Sequence, residues 1–206
     1  MTPIHAIGSD PGAEGGLALV RLDTGRPLLL GLWTLLCSTV TEEWTSCSQA
    51  VQAARKLLSA AEVESCVVWV EQPGHEGGGK ANPRNRVVTW DGLGWRRGMV
   101  MAALLDWDFL EPTSVQPGQW PGAYGKAGKG RKNLIRVGKA SAPGLPDGSH
   151  RIGEAGMMVE GAGQQLAALH GSAKIRIDCA EAILIAGAAA LTRRSAMMGG
   201  GMRGAA

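Results

Sequence analysis

The sequence lacks any apolar run long enough to cross a membrane. A transmembrane helix needs about 20 predominantly apolar residues, whereas the best apolar run here, AILIAGAAAL at 182–191, has ten. The N-terminus also has no apolar segment of the kind found in secretory signal peptides. We therefore expect a protein that neither spans a membrane nor enters the secretory pathway.

Cysteine is scarce, and its spacing is unlike that of a zinc site. The chain has four cysteines, Cys37, Cys47, Cys66 and Cys179, with no Cys-x-x-Cys pair and no accompanying histidine spacing. Structural zinc sites use closely spaced Cys and His ligands. We expect these residues to be reduced thiols of an intracellular protein.

Neither sign of charge dominates the chain. It has 21 basic and 18 acidic residues, so its net charge alone does not predict a nucleic-acid partner. Tyrosine and phenylalanine occur once each, against seven tryptophans and 31 glycines, a bias that fits a GC-rich genome better than a particular function. A length of 206 residues predicts one domain with its own core.

The order of the hydrophobic patterns predicts a mixed α/β domain. Alternating apolar residues predict strands, apolar residues three and four apart predict helices, and Gly/Pro clusters predict turns. An early hairpin implies an antiparallel part of the sheet, and later crossovers imply a parallel part. The first half of the chain is predicted to form a hairpin over 4–23, a strand at 25–35, a helix at 42–61, a strand at 67–71, a loop at 74–92 and a helix at 92–107. A short strand, a turn and a short helix within 108–120 come next, followed by a Gly/Pro-rich insertion with some helix at 139–172 and a helix at 175–194. That helix completes the predicted domain of residues 1–194, and residues 195–206 form a low-complexity tail.

Four acidic residues lie where these elements would bring them together. Asp10 ends the first strand, and Glu71 ends the strand that begins VVWV. An unpaired buried carboxylate is costly, so a strand that ends in an acid needs an explanation. If the two strands are neighbours, their carboxylates converge. Asp178 and Glu181 are three residues apart at the start of the last helix and therefore share one face of it.

A cluster of four acids favours a metal site. Like charges a few ångströms apart raise one another's pKa, and hard divalent ions with oxygen ligands neutralise them. Two such ions activate water and stabilise the leaving oxygen in phosphodiester hydrolysis. Each acid also has an ordinary structural interpretation, because Asp-Pro-Gly is a common turn and acids in a first helical turn interact favourably with the helix dipole.

The segments IGSDPGAEGGLALV, VVWVEQP and DCAEAILIA follow one another in an order that resembles a known family. They resemble the first catalytic strand, the second acidic strand and the last helix of RuvC-type Holliday junction resolvases, in the ribonuclease-H-like superfamily. GLGWRRGMVMAALL falls where that family has a glycine-containing helix, and GKGRKNLIRV where it has a lysine. The resemblance spans most of residues 4–192 and implies a ribonuclease-H-like mixed sheet flanked by helices.

The resemblance also implies a reaction and its residues. It implies paired symmetric nicks in four-way DNA junctions, as in DNA recombination and repair, by hydrolysis with two Mg²⁺ ions for which Mn²⁺ can substitute. Asp10, Glu71, Asp178 and Glu181 would be the metal ligands and, with Lys132 near the scissile phosphate, the catalytic residues. The chain departs from the family in its long insertion and in having Glu, where bacterial members usually have Asp, at position 181.

Within that family the chain is most similar to the plant and algal chloroplast branch, the monokaryotic-chloroplast resolvases. The segments that carry this similarity are GHEGGGKANPRNRVVTWDGLGW, PTSVQPGQW and AEAILIAGAA. It implies a role in segregating the chloroplast nucleoid, with a transit peptide absent from this sequence. Phage and bacterial RuvC-like nucleases share these features more loosely, so a branched-DNA nuclease of the bacterial cytoplasm is the alternative.

Two basic segments are candidate DNA contacts, since phosphate contacts dominate nucleic-acid affinity. One is the glycine-rich YGKAGKGRKNLIR, and the other directly follows Glu71, where a loop could enter the junction centre and read bases. A solvated basic loop is the alternative for both. The candidate residues are Lys80, Arg84, Arg86, Lys126, Lys129, Arg131, Lys132 and Arg136.

Junction symmetry implies a homodimer, because two symmetric nicks need two active sites related by a dyad. The helix from Trp95 to Trp107, with its methionines and leucines, is the candidate interface, and ordinary core packing is the alternative. We expect Trp33, Trp44 and Trp69 in the core.

Two other functional classes compete with a junction nuclease. A non-catalytic junction-binding protein would not need all four acids. A sugar- or acetate-kinase-like ATPase of the actin superfamily also begins with a strand, an acid and glycines, but it needs two related domains, for which 206 residues are too few.

Overall fold

The structure, a computed structural model, covers most of the chain. It describes residues 2–12, 14–35, 40–72, 83–110, 112–116, 119–124 and 149–199, without the side chains of Val40 and of residues 83–93.

A five-stranded sheet with the order β3-β2-β1-β4-β5 forms the centre of the molecule. The first strand, β1 (Ile4–Asp10), pairs antiparallel with β2 (Gly16–Leu22), which pairs antiparallel with β3 (Leu28–Thr34). On its other side β1 pairs parallel with β4 (Val67–Glu71), and β4 pairs parallel with β5 (Thr113–Val115). The chain crosses over the sheet to make these parallel pairs, as the pattern predicted.

Helices cover both faces of the sheet, which confirms the predicted fold class. One face carries the first and third helices of the chain, and the other carries the last helix with the shorter elements before it. Within the described residues the helices are α1 (Val40–Lys56), α2 (Ala60–Ser65), α3 (Pro83–Asp106), a 3₁₀ helix (Trp120–Tyr124), α4 (His150–Met158), α5 (Ala162–Ala168) and α6 (Ala173–Gly199).

Alternation along the strands divides the core into two layers. Ala6 and Ala18 pack toward α6, whereas Ile7 and Leu19 pack toward α1 and α3. All four side chains are fully buried. Both sides of the central strands are thus covered by apolar side chains, as expected for a sheet with helices on both faces.

The helix predicted over 42–61 is two helices. The first, α1, ends at Lys56, and α2 begins at Ala60 because Ser59 caps it. The side chain of Ser59 accepts a hydrogen bond from the backbone N–H of Glu62, and the Glu62 carboxylate accepts one from the backbone N–H of Ser59. This reciprocal pair is a capping box, which fixes a new helix start.

Three other predicted helix boundaries are also wrong. The loop predicted over 74–92 is helical from Pro83 onward, since proline has a backbone angle that suits a first helical position and lacks the N–H that would be unpaired there. The last helix begins at Ala173, where the hydroxyl of Ser172 accepts a hydrogen bond from the Ile175 N–H. It continues to Gly199, five residues into the predicted tail.

No described helix is both long enough and apolar enough to span a lipid bilayer.

The last helix lies directly against the backbone of β1. A Cβ added at Gly8 would overlap the backbone nitrogen of Ala186 and would lie 2.5 Å from the carbonyl oxygen of Ala182. At Gly16 on β2, an added Cβ would lie 2.9 Å from the Cα of Cys179. The two glycines therefore let α6 approach the sheet more closely than any side chain would allow.

We expect Gly8→Ala to lower the free energy of unfolding by about 3 kcal/mol, because overpacking against a backbone cannot be relieved by a rotamer change. Urea denaturation measures the effect. The matched control is Gly153→Ala in α4, where an added Cβ meets no atom within 4 Å and which should raise stability by up to about 1 kcal/mol. Equal effects of the two substitutions would contradict the close approach.

Candidate metal centre

The strand register places Asp10 and Glu71 side by side. In the parallel pair of β1 and β4, Ser9 lies opposite Val70, and the next residue on each strand is an acid. Alternation directs both side chains toward α6, on the same face as Ala6 and Trp69. The condition under which the sequence predicted convergent carboxylates, that these two strands are neighbours, is met.

Helix α6 brings a third carboxylate to the same edge of the sheet. Carboxylate oxygens of Asp10, Glu71 and Glu181 all lie within 4.8 Å of one another. Asp10 is only 8% exposed, whereas Glu71 and Glu181 are partly buried, so the cluster has one buried side and one side open to solvent. Three of the four acids singled out in the sequence therefore meet.

Asp178 lies beside this cluster and is held by other partners. Its carboxylate accepts hydrogen bonds from the Lys174 ammonium at 3.0 and 3.1 Å and from the backbone N–H of Glu14 at 3.3 Å. A Cβ added at Gly12 would lie 2.9 Å from Asp178 Oδ2 and 3.3 Å from Asp10 Oδ1. Asp178 and Asp10 thus face the same glycine, which leaves room between them.

The turn after β1 holds Asp10 in place. One carboxylate oxygen of Asp10 accepts a hydrogen bond of 3.0 Å from the Gly12 N–H. The Gly12 carbonyl accepts one of 3.2 Å from Arg96 of α3, whose guanidinium also pairs with Glu43 of α1 at 2.8 Å. The Asp-Pro-Gly segment is therefore both a turn, as its structural interpretation predicted, and the support of a carboxylate in the cluster.

Burial and repulsion from neighbouring carboxylates raise the pKa values of Asp10 and Glu71. The pKa of Asp10 lies well above its usual value because of burial, and the carboxylates of Glu181, Glu71 and Asp178 raise it further. Burial raises the pKa of Glu71 to about 7, against the opposing effect of a hydrogen bond from Trp120. The group is thus poorly neutralised by the protein itself.

Sequence reasoning missed three residues that contact the acids. The indole N–H of Trp120 donates to Glu71 at 2.7 Å, and Arg151 donates to Glu181 at 3.1 Å. Lys174 pairs with Asp178 four residues further along the helix, a spacing that was visible in the sequence. Trp120 and Arg151 come from separate segments, and no spacing relates either of them to the acids.

The structure describes no side chain of the predicted DNA-binding residues. Arg84 and Arg86 lie in the first turns of α3, and their side chains are not described. The remaining candidates, Lys80, Lys126, Lys129, Arg131, Lys132 and Arg136, fall outside the described residues.

The predictions for the tryptophans and for α3 hold only in part. Trp33 and Trp69 pack against the core, but Trp44 is 39% exposed, so its prediction as a core residue is wrong. On α3 the side chains divide between two environments, since Leu104 is fully buried whereas Trp95 is 56% exposed. Part of this helix therefore belongs to the core and part remains on the surface.

The donor set fits a hard divalent cation. The three clustered ligands are carboxylates, and Mg²⁺ and Mn²⁺ prefer such oxygen donors. The raised pKa values of Asp10 and Glu71 show that the ionised carboxylates are unfavourable in the metal-free protein, and a bound cation would stabilise the ionised form. Neither a thiol nor an imidazole belongs to the group, which makes zinc a poorer fit.

Solved structures of RuvC have a similar fold. The structure of RuvC from Thermus thermophilus matches with a TM-score of 0.55 and 17% identity, over 93% of this chain and 96% of that chain. The chain has a RuvC-like fold. Thermus thermophilus RuvC in complex with Holliday junction substrate matches with a TM-score of 0.54 and 20% identity, again over 93% and 96% of the two chains. No protein-family model and no curated protein matches the sequence.

The pKa of Glu71 predicts how stability depends on pH without metal. Between pH 4.5, the ordinary pKa of a glutamate, and about pH 7, the folded protein holds a proton on Glu71 that the unfolded chain has lost. Raising the pH through this window in EDTA should therefore lower the melting temperature. Added Mg²⁺ should raise it, and by more at about pH 8 than at about pH 5.5, because bound carboxylates must be deprotonated.

Differential scanning fluorimetry measures these shifts, with Glu71→Gln as the comparison. Removal of the titrating carboxyl should flatten the pH dependence in EDTA. An equally steep dependence in Glu71→Gln would show that the effect arises elsewhere.

Proposed function

We propose that this protein is a Holliday junction resolvase, a structure-selective endonuclease that makes paired symmetric nicks in four-way DNA junctions. The observation that carries the proposal is the meeting of Asp10, Glu71 and Glu181 within 4.8 Å on a RuvC-like fold. The Thermus thermophilus RuvC structure solved with Holliday junction substrate supports the substrate class by analogy of fold.

The clustered carboxylates are the proposed ligands of divalent metal. Asp10, Glu71 and Glu181 would hold a Mg²⁺ ion, and Asp178 beside them would supply the further carboxylate that a second ion needs. Such ions, when bound, activate the attacking water and stabilise the leaving oxygen of a phosphodiester. Mn²⁺ offers the same preference for oxygen ligands and is the expected substitute.

Other residues of the chain bring the phosphate to this site. The ammonium of Lys174 lies next to Asp178, and its side chain is 53% exposed, so it can reach a phosphate oxygen. We propose Lys132 as a further catalytic residue near the scissile phosphate, on the resemblance of GKGRKNLIRV to the family's lysine segment. The proposed DNA-backbone contacts are Lys80, Arg84, Arg86, Lys126, Lys129, Arg131, Lys132 and Arg136.

We expect Asp10→Asn to abolish nicking of a synthetic four-way junction in Mg²⁺, by at least about 100-fold in rate, because it removes a charged ligand from the centre of the cluster. Junction binding in a gel-shift assay should change little, since Asp10 is a proposed metal ligand and not a proposed DNA-backbone contact. Denaturing gels of a labelled junction, with linear duplex, flap and single-strand controls, measure the cleavage.

The matched control is Asp23→Asn. Asp23 pairs with Arg21, and its side chain is 45% exposed. That variant should cut at the parental rate. Undiminished cleavage by Asp10→Asn would overturn the proposed site, and tight junction binding without cleavage by the parent would favour a non-catalytic junction-binding protein.

We also propose that the protein acts as a homodimer through the outer side of α3. An open apolar groove of about 440 Å³ lies between α1 and α3, lined by Trp44, Gly94, Trp95, Gly98, Met99 and Ala102. Two tryptophans exposed side by side are unusual on a surface in contact only with water. A second copy of the chain is the occupant that two symmetric nicks require.

We expect Trp95→Glu to shift the protein from dimer to monomer, because a charge placed in an apolar contact loses its hydration. Sedimentation velocity measures the change. The control is Leu57→Glu, which alters a comparably exposed apolar residue (52% against 56%) that does not line the groove. Paired nicks should become uncoupled single nicks in the monomeric variant. A parent that is monomeric on junction DNA would refute the dimer.

We propose further that the chain belongs to the plant and algal chloroplast branch of these resolvases and acts in the chloroplast nucleoid. The support is the similarity of GHEGGGKANPRNRVVTWDGLGW, PTSVQPGQW and AEAILIAGAA to that branch. Fluorescence microscopy of the tagged full-length gene product tests it, and a signal outside the chloroplast would favour the phage or bacterial alternative.

A further inference from the structure

The guanidinium of Arg151 in α4 lies over an aromatic ring beside the carboxylate cluster. Its guanidinium carbon is 5.0 Å from the centroid of the Trp120 ring. The Arg151 side chain is 15% exposed, and Trp120 as a whole is 2% exposed. This is a cation–π contact, and the shielded position of both side chains limits the movement of the guanidinium.

Trp120 and Arg151 each donate a hydrogen bond to one acid of the cluster. The indole N–H of Trp120 donates to Glu71 Oε1 at 2.7 Å, and Nε of Arg151 donates to Glu181 Oε1 at 3.1 Å. Glu71 belongs to β4 and Glu181 to α6, so the pair links carboxylates from two different elements.

A third acid fixes the arginine itself. Nη1 of Arg151 donates to Glu154 Oε2 at 2.9 Å, one helical turn further along α4. Glu154 is 8% exposed and is not a member of the carboxylate cluster. Its charge is therefore balanced by Arg151, and together the two residues add no net charge to the site.

We infer that Arg151 is a positioning residue that orients Glu181 and Glu71 toward a bound divalent cation. Its own position is fixed by the contact with the Trp120 ring and by the ion pair with Glu154. The inference rests on the proposed function, because it takes the cluster to be a metal site. Hydrogen bonds from outer residues to metal-binding side chains set ligand orientation, and their loss typically costs 10- to 100-fold in metal affinity or activity. The inference also gives a role to α4, which lies within the Gly/Pro-rich insertion.

A simple charge effect would act in the opposite direction. Arg151 is a cation near a cation site, so its removal alone would strengthen metal binding if only electrostatic repulsion mattered. The single variant Arg151→Gln would therefore combine two opposing effects on metal affinity, poorer orientation of the carboxylates and weaker electrostatic repulsion of the cation. Variants that keep the net charge separate the two effects.

The test uses two such variants of the whole protein. Arg151→Gln combined with Glu154→Gln removes one positive and one negative charge together. Arg151→Lys keeps the charge but loses the planar guanidinium, which donates to two carboxylates and lies over the Trp120 ring. Mn²⁺ binding to each protein without DNA is measured by electron paramagnetic resonance of the free ion, and the melting temperature in EDTA shows whether the fold is intact.

We expect Mn²⁺ affinity to fall about 10- to 100-fold in the double variant and about 10-fold in Arg151→Lys. The melting temperature of Arg151→Lys in EDTA should stay within a few degrees of the parental value. Trp120→Phe, which keeps a ring but loses the N–H donor to Glu71, should also weaken binding. If the double variant does not fold, the other two variants decide the matter.

Two outcomes would overturn different claims. Mn²⁺ affinity within about threefold of the parental value in folded charge-conserving variants would refute the positioning role and leave the metal site standing. A parent that binds no Mn²⁺ and cuts no junction would instead refute the proposed function.

Discussion

The close contact between α6 and β1 at Gly8 is the constraint on which the rest of the structure depends. A side chain at this position would hold the helix away from the sheet, because the obstacle is the backbone of Ala182 and Ala186. Glu181 belongs to the same part of the helix as this contact. Its carboxylate can meet those of Asp10 and Glu71 only because the two backbones nearly touch.

The same contact brings like charges together around the buried carboxylate of Asp10. The polypeptide compensates in part through Arg151 and Lys174, each paired with an acid of α6. The remaining repulsion is visible in the raised pKa values of Asp10 and Glu71. Repulsion among the carboxylates therefore lowers the stability of the metal-free folded protein, and a bound cation would remove this repulsion. Functional sites commonly combine local instability of this kind with a stable surrounding scaffold.

The sequence predicted the parts of the fold and site that local patterns encode. Strand alternation and the acids at the ends of β1 and β4 were visible, as was the spacing of Asp178 and Glu181. The break between α1 and α2 was also present in the sequence as the capping box that begins at Ser59, although apolar residues at helical spacing concealed it. The supports of the cluster could not be predicted, since Trp120 and Arg151 meet only through tertiary packing. Exposure of Trp44 likewise depends on what covers α1, which no local pattern encodes.

The positions of Tyr124 and Arg151 have a consequence for the helix that both contact. The hydroxyl of Tyr124 donates to the Leu184 carbonyl, and Arg151 pairs with Glu181, so both contacts lie on neighbouring turns of α6. The two contacts thus fix residues 124 and 151 to the turns of α6 that carry Leu184 and Glu181. Any shift of this part of the helix would act on both contacts at once, which couples the position of the Glu181 carboxylate to the packing of two segments distant in sequence.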